Sequence, residues 1–166
     1  MRTNLDPIDR RILGLLQADA SLTAADIAQR VGLSQSPCWR RIARLDKLGL
    51  IRRRVALLDR ERLGLGVMVF AQVKFARGAR QSLADFEEMI RAFPEVQECY
   101  MLMGEVDFLL KVITRDVAAY EQFLRERLSR IPAVQEVRSS IALTPVKETT
   151  ELPLGQLPGA AGQEGE

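Results

Sequence analysis

Between Ser34 and Lys47 the sequence sets Gln35, Ser36, Trp39, Arg40 and Arg44 around an apolar series, Cys38, Ile42 and Leu45. On a helix the apolar series falls at i, i+4 and i+7 as one buried stripe, which turns the other five residues outward. Their chemistry is that of hydrogen-bond readers. A guanidinium can bond guanine bidentately, a glutamine can bond adenine, and a serine serves either a base or a phosphate. Ser34, Gln35 and Ser36 also open the helix, where unpaired main-chain amides favour an anion. Each position has a plainer alternative. Arg41 and Arg44 could be solvated or paired with acids such as Asp46, and Trp39 could pack in a core instead of facing DNA. Cys38 reads as a small buried hydrophobe. The run Arg52-Arg53-Arg54 suits either phosphate flanks or a solvated edge.

Composition narrows what these residues can serve. The 166 residues are 47% hydrophobic and 28% charged, as expected of a globular protein. There is no histidine, and the two cysteines, Cys38 and Cys99, lie far apart. A Cys/His zinc site is thereby excluded, and the commonest general base is missing, which argues against most enzymes; no cofactor is expected. No apolar run reaches the ~20 residues of a membrane span. The opening stretch MRTNLDPIDRR lacks the apolar centre of a secretory signal. A cytoplasmic protein without membrane contact is the expectation. Net charge is +2, but unevenly spread: residues 1–63 carry 13 Lys and Arg against 7 Asp and Glu, whereas residues 64–166 carry 11 against 15. A basic front half implies a polyanion partner that the acidic back half does not share.

The elements that must position the reading helix are legible upstream. Asp6-Pro7-Ile8-Asp9 predicts a helix start, with Asp6 as cap and Pro7 in the first helical position. Ile8, Ile12, Leu15 and Leu16 continue on one face to about Asp19. Thr23-Ala24-Ala25-Asp26 predicts a second start through a capping box, and Gly32 a C-terminal stop. Ser34 then caps the third helix, Pro37 sits in its first turn, and Gly49 ends it. Three helices with a short second turn fit a helix-turn-helix, whose third helix enters the major groove of double-stranded DNA. Residues 50–58 read as an extended segment. The composition changes at Gly64-Leu65-Gly66.

Beyond that point the rhythm is different. Val67, Val69, Ala71, Val73 and Phe75 alternate as a strand, and Leu83, Phe86, Ile90 and Phe93 share a helix face before Pro94. Strands over about 96–103 and 108–114 are joined through Gly104-Glu105-Val106-Asp107. Asp116 caps a helix running to Ile131, and a last strand covers about 134–143. The β-α-β-β-α-β order is the ferredoxin-like split βαβ pattern. One sheet face then lacks helices, so Met68, Phe70, Met101 and Met103 are expected on a face that another subunit covers. The fold class is α+β: a three-helix (winged) helix-turn-helix domain over 1–63, a βαββαβ domain over 64–152, and a flexible tail over 153–166.

The stretches Leu5–Leu13 (LDPIDRRIL), Gly32–Ile51 (GLSQSPCWRRIARLDKLGLI) and Cys99–Val112 (CYMLMGEVDFLLKV) together resemble the Lrp/AsnC family of leucine-responsive, or feast/famine, transcription regulators. The resemblance runs over about residues 5–154 in the same domain order. It implies a sequence-specific regulator acting on a roughly palindromic operator. It further implies homodimers joined through their sheets and assembled into tetramers or octamers. An amino acid or related metabolite is implied as effector, bound between subunits near the turn of the two middle strands. Gly104 and Asp107 match the family's Gly-x-x-Asp positions, and Met103 and Ser139 join them as candidate effector contacts. Gly104 would let amides approach a carboxylate, and Asp107 could accept from an α-ammonium. Gly-x-x-Asp is equally an ordinary turn with the Asp bonding nearby backbone. Where relatives often carry Thr, this sequence has Val137 and Ser139, so leucine is not assumed as the effector. Two rival functions have distinct signatures: an architectural DNA organiser would bind promoter and random DNA alike, and a ferredoxin-like enzyme would turn over an amino acid.

Overall fold

Asp6 and Asp9 set the first helix. In the computed structural model, which describes residues 4–76, 78 and 82–157, the Asp9 N–H donates to Asp6 Oδ1 at 2.8 Å and the Asp6 N–H donates to Asp9 Oδ2 at 3.3 Å. This reciprocal box starts α1 (Pro7–Ala18) with Pro7 in its first turn. Thr23 and Asp26 repeat the device at α2 (Ala24–Val31), which Gly32 stops at φ +75. α3 (Gln35–Lys47) closes at Gly49, φ +71. There the Gly49 N–H reaches the Asp46 carbonyl at 2.9 Å and the Leu50 N–H reaches Leu45 at 3.2 Å, the paired bonds of a Schellman stop.

The expected cap at Ser34 is not made. Ser34 stands in the N-cap position with no side-chain cap bond. The reason lies three residues on: the third helical residue is Pro37, which has no N–H to donate.

The three helices bury Ile12, Ile27, Cys38 and Leu45 completely, with Leu16, Ala28 and Val31 around them. Each fully buried large side chain contributes about 1.5–3 kcal/mol relative to exposure. Residues 51–58 leave α3 without a strand ladder inside the chain.

The chain divides into two compact units. Among the described residues one comprises 4–56 with 147–157, and the other 57–146. The division therefore falls at 56/57 instead of the expected 63/64, and residues 147–157 belong with the helical unit, 147–152 instead of closing the second domain and 153–157 instead of trailing away. Leu152 explains part of this: its N–H donates to Gln17 Oε1 at 3.0 Å and its carbonyl accepts from Gln17 Nε2 at 3.1 Å. A short 3-10 turn, Leu154–Gln156, follows. The remainder of the expected flexible tail, 158–166, lies outside the described residues.

The second unit is an antiparallel sheet in the order β2-β3-β1-β4, built from β1 (Val67–Phe75), β2 (Val96–Met101), β3 (Phe108–Thr114) and β4 (Val134–Ala142). Helices α4 (Leu83–Ala92) and α5 (Val117–Glu126) cover one face. α5 ends sooner than expected; Leu128–Arg130 turn as a 3-10 helix before Pro132. The core under the helices holds Val69, Ala71, Val73, Phe86, Leu110 and Val112. Phe75, Phe86 and Phe108 meet there with ring centroids 4.6–5.2 Å apart.

Register sorts the expected outward residues. Phe70 pairs with Lys111 and lies half-exposed on the uncovered face. Met68 shares that face but is buried between its cross-strand neighbours Ile113 and Ala142. Met101 pairs with the core residue Phe108, so it belongs to the helix-covered side at the sheet edge. No helix among the described residues is long and apolar enough to cross a membrane.

Candidate nucleic-acid interface and effector cleft

The reading helix is held by its apolar stripe. Cys38 and Leu45 are fully buried, and at 100° per residue Ser36, Arg40, Ala43 and Lys47 fall on the opposite line. All four are exposed, as are Ser34 and Gln35. Trp39 is 62% exposed, so the indole is a surface group and not a core one. Lys47, seven residues after Arg40, continues the same exposed line.

Arg44 is different. It stands on the flank of α3 beside Arg41, and its Nη2 donates to Asp9 Oδ2 across the helix pair. Arg41 Nη1 donates to Asp9 Oδ1 at 2.8 Å and to Asp6 Oδ2 at 2.5 Å. Asp9 is 1% exposed, in line with Ile12 and Leu16 on the buried face of α1. A carboxylate there must be paired. Arg44 is exposed, as its outward position led one to expect, but its guanidinium takes the acid-paired alternative, with Asp9 as partner. The sequence-level pairing with Asp46 also differs: Asp46 takes Arg54 at 2.9 Å. An acid on an otherwise apolar helix stripe was the signal for the true partner.

Partial burial pushes the Asp6 carboxyl up, but the Asp9 amide and the Arg41 guanidinium outweigh it and hold it below its ordinary value. Arg41 is raised in turn by its bonds to Asp6 and Asp9. In α2, Asp26 is held low by the Thr23 hydroxyl and amide.

In the second unit the turn after β2 forms an open cleft of about 470 Å³ lined by Lys74, Phe75, Ala76, Gly78, Gly104, Glu105 and Asp107. Gly104 has φ +150, which an L side chain rarely adopts. Asp107 fastens the turn to β1. Its N–H donates to the Val73 carbonyl at 3.0 Å, and its carbonyl accepts from Leu102 at 2.8 Å. Its carboxylate Oδ2 accepts the Phe75 N–H at 2.7 Å. Glu105 lies 3.7 Å from Arg138, which also holds Glu136 at 2.7 Å.

Two expected effector contacts stand elsewhere. Ser139 pairs with the core residue Ala71, so its side chain is on the helix side, where its hydroxyl meets the Tyr120 hydroxyl at 2.5 Å. The pleat puts its neighbours Arg138 and Ser140, which pair with Gln72 and Phe70, on the uncovered face instead. Met103 is fully exposed and lines no part of the cleft within one chain. Gly104 and Asp107 are brought together there as expected.

Known proteins share this arrangement. Residues 68–152 match the family model of the Lrp/AsnC ligand binding domain, and residues 5–52 match that of a winged helix-turn-helix DNA-binding domain. The chain belongs to the Lrp/AsnC family. The DNA-binding transcriptional activator DecR of Escherichia coli strain K12 is 36% identical over 150 residues, covering 90% of this chain and 99% of DecR. Among solved structures, the transcriptional regulator NMB0573 in complex with L-Met, from Neisseria meningitidis, superposes with a TM-score of 0.90 at 39% identity, covering 93% of this chain and 99% of that one. An AsnC family transcriptional regulator from Agrobacterium tumefaciens gives 0.87 at 44% identity, covering 92% and 99%. This Lrp/AsnC protein is accordingly a DNA-binding transcription regulator with a ligand-binding domain, and not an enzyme.

Proposed function

We propose that this Lrp/AsnC regulator reads a roughly palindromic operator through the outer face of α3, and that an amino acid or related metabolite tunes that reading. The observation that carries the reading is the exposed row of Gln35, Ser36, Trp39 and Arg40 above a fully packed stripe. Such a row can present a guanidinium and an amide to base edges while Ser34 and Ser36 meet phosphate. A dimer would bring two copies of α3 to half-sites about one helical turn apart.

The effector reading rests on the cleft at Gly104–Asp107. Phe75 occupies one oxygen of Asp107, and the other is suited to an α-ammonium; Lys74 lines the same cleft and suits a carboxylate. The exposed Phe70 and Tyr100 suit the uncovered sheet face to a second subunit, which would bring the cleft between subunits and give Met103 a surface to cover. Because a solved relative is a complex with L-Met, methionine is the first effector to try. Binding would shift the balance between states that differ in DNA affinity, with a coupling of about 1–3 kcal/mol.

A thermal-shift screen of the twenty amino acids, followed by fluorescence anisotropy on operator and random-sequence DNA, tests this. At least one amino acid should raise the melting temperature and change operator affinity several-fold. No shift from any of them, with equal affinity for both DNAs at one stated salt concentration, would favour an architectural DNA organiser instead.

A further inference from the structure

We propose that Asp9 is a specificity-determining residue for DNA binding, because it holds Arg44, and together with Asp6 holds Arg41, on the protein side of α3 and keeps these cations off the DNA phosphates. Asp9 does not touch DNA in this account; it acts through the two arginines.

The two oxygens of Asp9 receive different guanidiniums, Arg41 on Oδ1 and Arg44 on Oδ2. The carboxylate is 1% exposed, whereas the Arg44 side chain is 47% exposed. Burial alone therefore does not keep Arg44 in place; the acid does. If Arg44 left for a phosphate, Oδ2 would retain only the Asp6 N–H at 3.3 Å. Taking a cation from a nearly dry carboxylate costs far more than a solvated phosphate gains by receiving it. The bond also uses a terminal nitrogen of Arg44, one end of the fork that would grip a guanine.

The consequence concerns selectivity. Phosphate contacts add affinity for every sequence and information about none. Residues 1–63 already carry six more cations than anions by the counts 13 and 7. Withdrawing two arginines from the reading helix lowers binding to random DNA while Arg40 and Gln35 keep their access to base edges.

The test uses the full-length protein and fluorescence anisotropy on a random-sequence duplex and a duplex selected for tight binding, each over a range of KCl. Each phosphate contact contributes about 0.9 to the slope of log affinity against log salt. Arg44→Ala should leave that slope unchanged on both duplexes. Asp9→Asn should keep the capping acceptor, release Arg44 while Arg41 stays on Asp6, steepen the random-DNA slope by about 1, and narrow the gap between selected and random DNA. Arg44→Ala added to Asp9→Asn should remove part of the extra slope. A purely structural Asp9 would lower the melting temperature of Asp9→Asn and leave its slopes alone, which would overturn the proposal. A slope flattened by Arg44→Ala alone, or affinity lost by that variant only on the selected duplex, would overturn it as well. The Arg44→Ala arm can still overturn the proposal where Asp9→Asn fails to fold.

Discussion

The Asp107 carboxylate accepts the Phe75 main-chain N–H at 2.7 Å, just past the last paired residues of β1 and β3, Val73 and Phe108. The acid that closes the turn after β2 thereby also satisfies the end of the central strand. The structural role and the proposed effector role meet in one side chain, and substitution can separate them. Asp107→Ala removes the acceptor of a half-buried N–H and should cost about 1–3 kcal/mol in urea unfolding. Asp107→Asn keeps an acceptor oxygen but not the charge. It should unfold close to the unsubstituted protein and lose most of the melting-temperature rise caused by an amino-acid effector. An unchanged rise in Asp107→Asn would remove the carboxylate from the effector site.

Two N-cap positions of like appearance should behave differently. Thr23 caps α2 through the Asp26 N–H, so Thr23→Ala should destabilise by about 1 kcal/mol. Ser34 has no such bond because Pro37 follows it, and Ser34→Ala should change stability by less than about 0.5 kcal/mol. Its effect should appear in DNA affinity, which a Ser hydroxyl aimed at phosphate would support. Equal destabilisation by the two substitutions in urea titrations would contradict this.

Acid should weaken the helical unit through its low-pKa aspartates. Asp6, Asp19 and Asp26 are all held below their ordinary value of 3.8, Asp6 by the Asp9 amide and Arg41 against the desolvation that raises it, Asp19 by Ser21, and Asp26 by Thr23. With folded values below unfolded ones, the unfolded chain binds more protons in this window. The stability these groups supply is therefore complete above about 4 and is lost as pH falls through their lower folded values. Urea midpoints measured downward from neutral pH should fall in that window, and less so for Asp26→Asn. A midpoint that rose on acidification would contradict the assignment.

Much of this was legible in the sequence because local chemistry governs it. Asp6-Pro7, Thr23 with Asp26, Gly32 and Gly49 each name a helix end within a few residues, and the alternation from Val67 to Phe75 names a strand. What escaped depends on contacts remote in sequence. Nothing near Arg44 announces Asp9, which is 35 residues away. The pairing of Met101 with Phe108, and of Ser139 with Ala71, follows from register, and a one-residue change of phase moves a side chain to the opposite face. The return of Leu152 to Gln17 spans 135 residues. The missing cap at Ser34 was readable, since Pro37 was in plain view.

The central claim is that α3 reads bases through its outer face, and Arg40 is the residue on which it turns. Fluorescence anisotropy of the unsubstituted protein and of Arg40→Ala, on selected and random-sequence duplexes at one salt concentration, measures this directly. The account predicts a loss of about 1–3 kcal/mol on the selected duplex and a much smaller one on random DNA. Equal losses on both duplexes, or none on either, would contradict it.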